Sequence, residues 1–264
     1  MVNNFVIDHV LRGIMTRKDG EYMWSINQIT NPSLNVALSD TAQAVDALGT
    51  VIQEFDRGRS AEFSAENSIF DLSLYAAQMG RKVEVASDKA EEKIVVPAFE
   101  TIDVKGTDAE THVTKKVPIA PIARINILNG DGTLGKVFKS ATTASAEEFA
   151  YDEENHTISL PTGLAKGSQL FVMYEYESAK ATSVTANAVD FPKAGKFVLE
   201  VLGTSVCDPD TLVHAYVVFP SAKLDGNVDF TFATDGTHPF TIRAMQDYCD
   251  KEKKLFSIVI PEEE

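Results

Sequence analysis

The stretch GTVIQEFDRGRSAEFSAENS, Gly49 to Ser68, decides how this chain is read. Its residues alternate. Val51, Phe55, Ala61, Phe63 and Ala65 fall on one side of an extended chain. Thr50, Ile52, Glu54, Ser60, Glu62, Ser64 and Glu66 fall on the other, mostly polar. A period of two marks half-buried β-strand. Asp56, Arg57 and Gly58 break the run with turn residues. A three-residue loop with glycine in the left-handed position is a common hairpin closure. It pairs Phe55 with Arg59 and keeps the two faces sorted, whereas a one-residue slip would set Glu54 beside Phe63. The expectation is a hairpin turning at 56–58. Charges on such a hairpin can simply protect a solvated edge. Its length, and Ile52 on the polar face, favour a hairpin that joins a neighbour's hairpin and closes a ring with an acidic bore.

The flanks extend this reading. SLNVALS (Ser33–Ser39) alternates like a strand, and DTAQAVDALG (Asp40–Gly49) reads as a loop or short helix. ENSIFDLSLYAAQMGRK is the clearest helix. Ser68 is its expected cap with Asp71 in the capping-box position, and Gly80 is its stop. Ile69, Leu72, Ala76 and Met79 are its expected inner face. Residues 1–30 suggest a short strand or arm. From Ile94 onward the texture is short strands parted by Gly, Pro, Asn and Asp. GKFVLEVLG suits a strand covered on both sides, and VDFTFAT a strand with one exposed face. The fold class is therefore mainly β with one flanking helix. Residues 98–184 read as an inserted Ig-like β-sandwich, between pieces 1–97 and 185–264 that fold together.

Composition narrows the function. The 264 residues are 44% hydrophobic, enough for a buried core, and the formal charge is -15. Such a surface repels nucleic acid and disfavours a stable DNA-binding module. It suits a surface that DNA must slide past. Two cysteines, Cys207 and Cys249, are too few for a zinc site. Free buried thiols are expected, with a disulfide left open. No apolar run approaches a membrane span, and no signal-peptide pattern opens the chain, so a soluble cytosolic product is expected.

Enzyme motifs fail on their details. GDGTLGKV (Gly130–Val137) approaches the phosphate loop, but Val137 replaces the hydroxyl that binds Mg²⁺ and no helix follows. A hairpin turn is the expectation. NGDG could open a calcium loop, but the position that needs Glu is Ser140. His9, His112, His156, His214 and His238 have no metal-ligand spacing. No G-x-S-x-G occurs, and the carboxylates Glu147–Glu148 and Asp152–Glu154 read as solvated groups flanking a turn. No catalytic residue, metal or cofactor is expected.

The order of a polar-faced ribbon, the helix IFDLSLYAAQMG, then strands closing on FTFATDGTHPFTIRAMQDY and KLFSIVI resembles bacteriophage major tail tube proteins. FAYDEENHTISLPTGLAKGSQLFVMYEYES is similar to the accessory β-domain of some of them. The resemblance implies hexameric rings that stack into a hollow tube. The bore would hold the tape measure protein and then pass double-stranded DNA without binding it specifically. Thr50, Ile52, Glu54, Ser60, Glu62, Ser64 and Glu66 would line that bore. Asp40, Val45 and Leu48 would reach the next ring, and Arg57 and Arg59 would pair with acids across a subunit boundary. A tail sheath protein would be a partner if the tail contracts. The product would be a virion tail component assembled in the host cytoplasm. A virion surface or baseplate protein that binds a partner or glycan is the alternative.

Overall fold

The structure is a computed structural model describing residues 4–106, 110–206, 208–229, 231–248 and 251–261. The expectation for Cys207 and Cys249 falls outside the described residues. The chain divides into two compact units, residues 1–83 with 184–264, and residues 84–183. The first unit opens with β1 (Phe5–Thr16), β2 (Tyr22–Ile26), β3 (Ile29–Val45), β4 (Val51–Asn67) and helix α1 (Leu72–Gln78). The second holds β5 (Glu84–Val85), β6 (Ile94–Asp103), β7 (Thr111–Val113), β8 (Arg124–Leu128) and β9 (Leu134–Ala141). It continues through β10 (Glu148–Asp152), β11 (Thr157–Ser159), β12 (Gln169–Ser178) and β13 (Thr182–Ser183). The first unit closes with β14 (Ala194–Ser205), β15 (Asp208–Leu224), β16 (His238–Ala244) and β17 (Ser257–Val259).

The first unit's sheet runs β2-β1-β14-β15-β16-β4-β3, with β17 on β15. It curls on itself. Trp24 on β2 lies 6.3 Å from Phe240 on β16 and 5.6 Å from Phe197 on β14, ring centre to ring centre. Phe63 on β4 sits 6.1 Å from both phenylalanines. This aromatic cluster, with Met15, Leu199 and Ile242, is the core. The first residues thus supply a full hairpin, β1–β2, whose Trp24 is wholly buried. In β14, Phe197, Leu199 and Val201 point inward, while the intervening residues are half-buried rather than covered. VDFTFAT forms no strand over its described residues, and Phe232 is exposed.

The helix is shorter than its sequence pattern. Asp71, not Ser68, is the cap, accepting from the Leu74 amide at 2.7 Å. Ile69 and Phe70 stay exposed. The buried face is Leu74, Ala76 and Gln78. Gly80 ends the helix at φ +71, where any Cβ would strike the Phe191 backbone within 2.3 Å. Gln78 is buried because its amide donates to the Pro239 carbonyl at 3.0 Å and its Oε1 faces His238 Nε2 at 2.8 Å. The Asp71 amide donates to His238 Nδ1. An accepting Nδ1 and a donating Nε2 describe neutral imidazole. Burial holds its pKa below the usual value. The unfolded chain therefore binds the proton more readily. The stabilisation is complete above about pH 6.5 and is lost as pH falls through the folded pKa. Urea unfolding at pH 7.5 and 5.0 should show lower stability at pH 5.0, and His238→Gln should reduce that difference.

The second unit has a seven-stranded sheet, β6-β12-β8-β9-β10-β11-β7, and a small β13–β5 ladder. The Ig-like two-sheet arrangement is not seen in this pairing. One hydrogen-bonded path joins all seven strands, and β9 with β10 is parallel. The glycine-rich stretch is a hairpin turn between β8 and β9. Asn129 and Thr133 close it, and Asp131 accepts from the Thr133 amide at 3.0 Å. Asp152 ties the β10–β11 turn through the Glu154 and Asn155 amides.

Within this unit's core lies Glu100, 3% exposed. Burial alone would raise its pKa. The hydroxyl of Tyr174, His112 at 2.9 Å and the Lys115 amide at 2.8 Å outweigh that and lower it. Burial and the adjacent carboxylate push the Tyr174 pKa up to about 12. Glu100→Gln removes the charge these donors serve. It should destabilise the unit by about 1–3 kcal/mol in chemical denaturation at pH 7. Protonating the native carboxylate removes the same stabilisation, so the deficit should shrink as pH falls through the folded pKa.

Candidate functional site

The sequence-predicted residues converge on the β3–β4 ribbon, though not as a hairpin at 56–58. Both strands have 17 residues and pair antiparallel from Ile29↔Asn67 to Val45↔Val51. β4 runs straight through Asp56, Arg57 and Gly58. The turn lies at 46–50 instead, where Asp46 accepts from the Leu48 and Thr50 amides, each at 2.8 Å. The Thr50 and Leu48 amides hold the Asp46 carboxyl below its usual range. The segment read as a loop or short helix is therefore the outer half of β3 and this turn. Arg57 and Arg59 sit in mid-ribbon, not at a tip, and make no ion pair among the described residues.

The ribbon has two halves. Near its base, β16 covers one edge of β4 from Asn67 to Glu62. Here Ala61, Phe63, Ala65 and Asn67 are buried, and Ser60, Glu62, Ser64 and Glu66 alternate with them on the outer face. A continuous strand and a three-residue loop both preserve this odd–even sorting, so the face survives the loss of the turn. Farther out, three register shifts leave residues 39, 57 and 52 without partners. A bulge breaks strict alternation. Counting in twos from Glu62 therefore stops at the bulges, and Thr50, Ile52 and Glu54 are set apart from the basal group. They are exposed, and Glu54 accepts from the Gln43 side chain at 2.7 Å. Asp40, Val45 and Leu48 are exposed too.

Two features were hidden in the sequence. Arg243 stands opposite Glu62 in register and bridges it at 3.3 Å and Asp225 at 2.6 Å. The basal face thus carries a cation among its acids. A residue 181 positions away in the sequence gives no local signal of this contact. Secondly, the outer half exposes Val36, Leu38, Val45, Val51 and Phe55, each between 42% and 53%. Apolar side chains open to water along strands of this length form the kind of surface that interaction sites use. Among the described residues no cluster of metal-ligating side chains occurs.

The sequence matches the model of the YomU/Tube protein family over residues 5–258, nearly the whole chain. The chain belongs to the YomU/Tube protein family. Membership is consistent with a phage tail tube protein and implies a component of the virion tail. A structural tube family is compatible with a chain that catalyses no reaction. No curated protein sequence matches this YomU/Tube chain. Among its described residues no helix is long and apolar enough to cross a membrane.

Proposed function

We propose that this chain is the structural subunit of a phage tail tube, built as stacked hexameric rings. The uncovered outer half of the β3–β4 ribbon carries this reading. Burying apolar area is worth about 25 cal/mol per Å², so ribbons from adjacent copies gain by pairing. Closing them into a ring removes every free edge. Glu62, Ser64 and Glu66 with Ser60, and farther out Glu54, Ile52 and Thr50, would then face the bore. Asp40, Val45, Leu48, Arg57 and Arg59 would serve contacts between copies. The bore holds the tape measure protein and later passes double-stranded DNA. Carboxylates repel phosphate, and hydroxyls bring no positive charge to hold it. Arg243 fits this role because Glu62 and Asp225 already neutralise it. The insert read at 98–184 is accessory, and a sheath would surround the tube in a contractile tail. Subunits assemble in the host cytoplasm. Negative-stain images of purified protein over a concentration series test the reading. Rings or tubes with a central hole support it, and monomers at every concentration refute it.

A further inference from the structure

The tip of the ribbon and a groove at its base match each other, but one chain cannot bring them together. At the tip Leu48 is 92% exposed, between Val45 and Val51. Asp46 is the only charged residue from 41 to 53. The groove, of about 640 Å³, lies beside the end of α1. Met79, Phe191, Leu224 and Met245 give it apolar walls; Asp190, bridged to Arg81 at 3.2 Å, and the Asp225–Arg243 pair also line it, and Lys223 stands at it. Lys223 is directly opposite Arg243 in register. Arg243 holds Glu62 and Asp225, whereas Lys223 makes no ion pair among the described residues. Like charges set opposite each other in a sheet are unfavourable, so a carboxylate brought to Lys223 is doubly welcome there. The tip is thus an apolar knob with one anion, and the groove a hollow with apolar walls whose charged lining is paired, among the described residues, except at Lys223.

Arg243 ties the groove to Glu62, at the base of the ribbon. At about 3.3 Å per residue, the strand from Glu62 out to Val51 spans roughly 36 Å. The ladder with β3 keeps it extended, so the tip stands away from its own groove. We infer that the tip of one copy seats in the groove of a second copy, with Leu48 as anchor and Asp46 against Lys223. This rests on the tube reading above and supplies its joint. Knob and hollow are different patches, so the contact is head-to-tail, and copies add in one direction into a ring or a helical row.

Two exposed substitutions test it. Leu48→Asp spoils the knob, and Ala188→Trp fills the groove, which Ala188 lines. Urea unfolding of each should match the parent chain. In sedimentation velocity, each variant alone should remain monomeric where the parent assembles. An equimolar mixture should stop at dimers, because only the intact groove of L48D and the intact tip of A188W can join. Assembly of L48D like the parent, or a mixture without dimers, overturns the joint while leaving the tube reading standing. A parent chain that never assembles overturns both.

Discussion

On the proposed role, phage carrying Glu54→Lys and Glu62→Lys in this chain are expected to build tails of normal length yet eject DNA roughly a hundredfold more slowly, on the scale of several lysine–phosphate contacts per ring. Both side chains are exposed in the single chain, so neither change disturbs the core. At Glu62 the effect is compounded. Arg243 loses one of its two carboxylates, and the new cation joins Arg243 and Lys223 in one row of the sheet. Tail length by electron microscopy and DNA release from receptor-triggered particles separate assembly from passage. Raising salt should relieve the defect, because counterion release weakens with ionic strength. Infection at the parental rate would remove the bore role from these residues.

Phe63→Ala should cost about 3–5 kcal/mol of stability, the range for emptying a buried aromatic site. Phe63 is 3% exposed and touches both Phe197 and Phe240, so it fixes the root of the ribbon to the aromatic cluster. Phe55, on the same strand, is 52% exposed. Phe55→Ala should leave stability within about 0.5 kcal/mol while weakening assembly. Urea melts and sedimentation of the two variants together divide the strand into an anchoring half and a contacting half. A large stability loss at Phe55 would show that the outer ribbon is packed within its own chain.

The alternation from Ser60 to Asn67 was legible because a strand with one buried face must repeat in twos. Its turn was misread because two turn signals compete. Asp56-Arg57-Gly58 and Asp46–Gly49 both offer Asp and Gly. Local chemistry does not rank them. The ladder with β3 does, since a partner strand running from Ile29 to Val45 needs β4 unbroken. One residue of the rejected turn survives as the unpaired Arg57 in that ladder. The helix was over-extended because Ile69 and Phe70 fit its apolar period, whereas the cap at Asp71 is set by Leu74 and His238. Arg243 opposite Glu62, and Trp24 against Phe240, are long-range pairings that no local window contains.

A reconstruction of the assembled protein by electron cryomicroscopy, with the β3–β4 ribbon traced in each copy, is the most direct measurement. Ribbons side by side around the axis, with the Glu62 carboxylates toward the hollow, are the predicted result. Ribbons on the outer wall, or Glu62 sealed between subunits away from the channel, would contradict it.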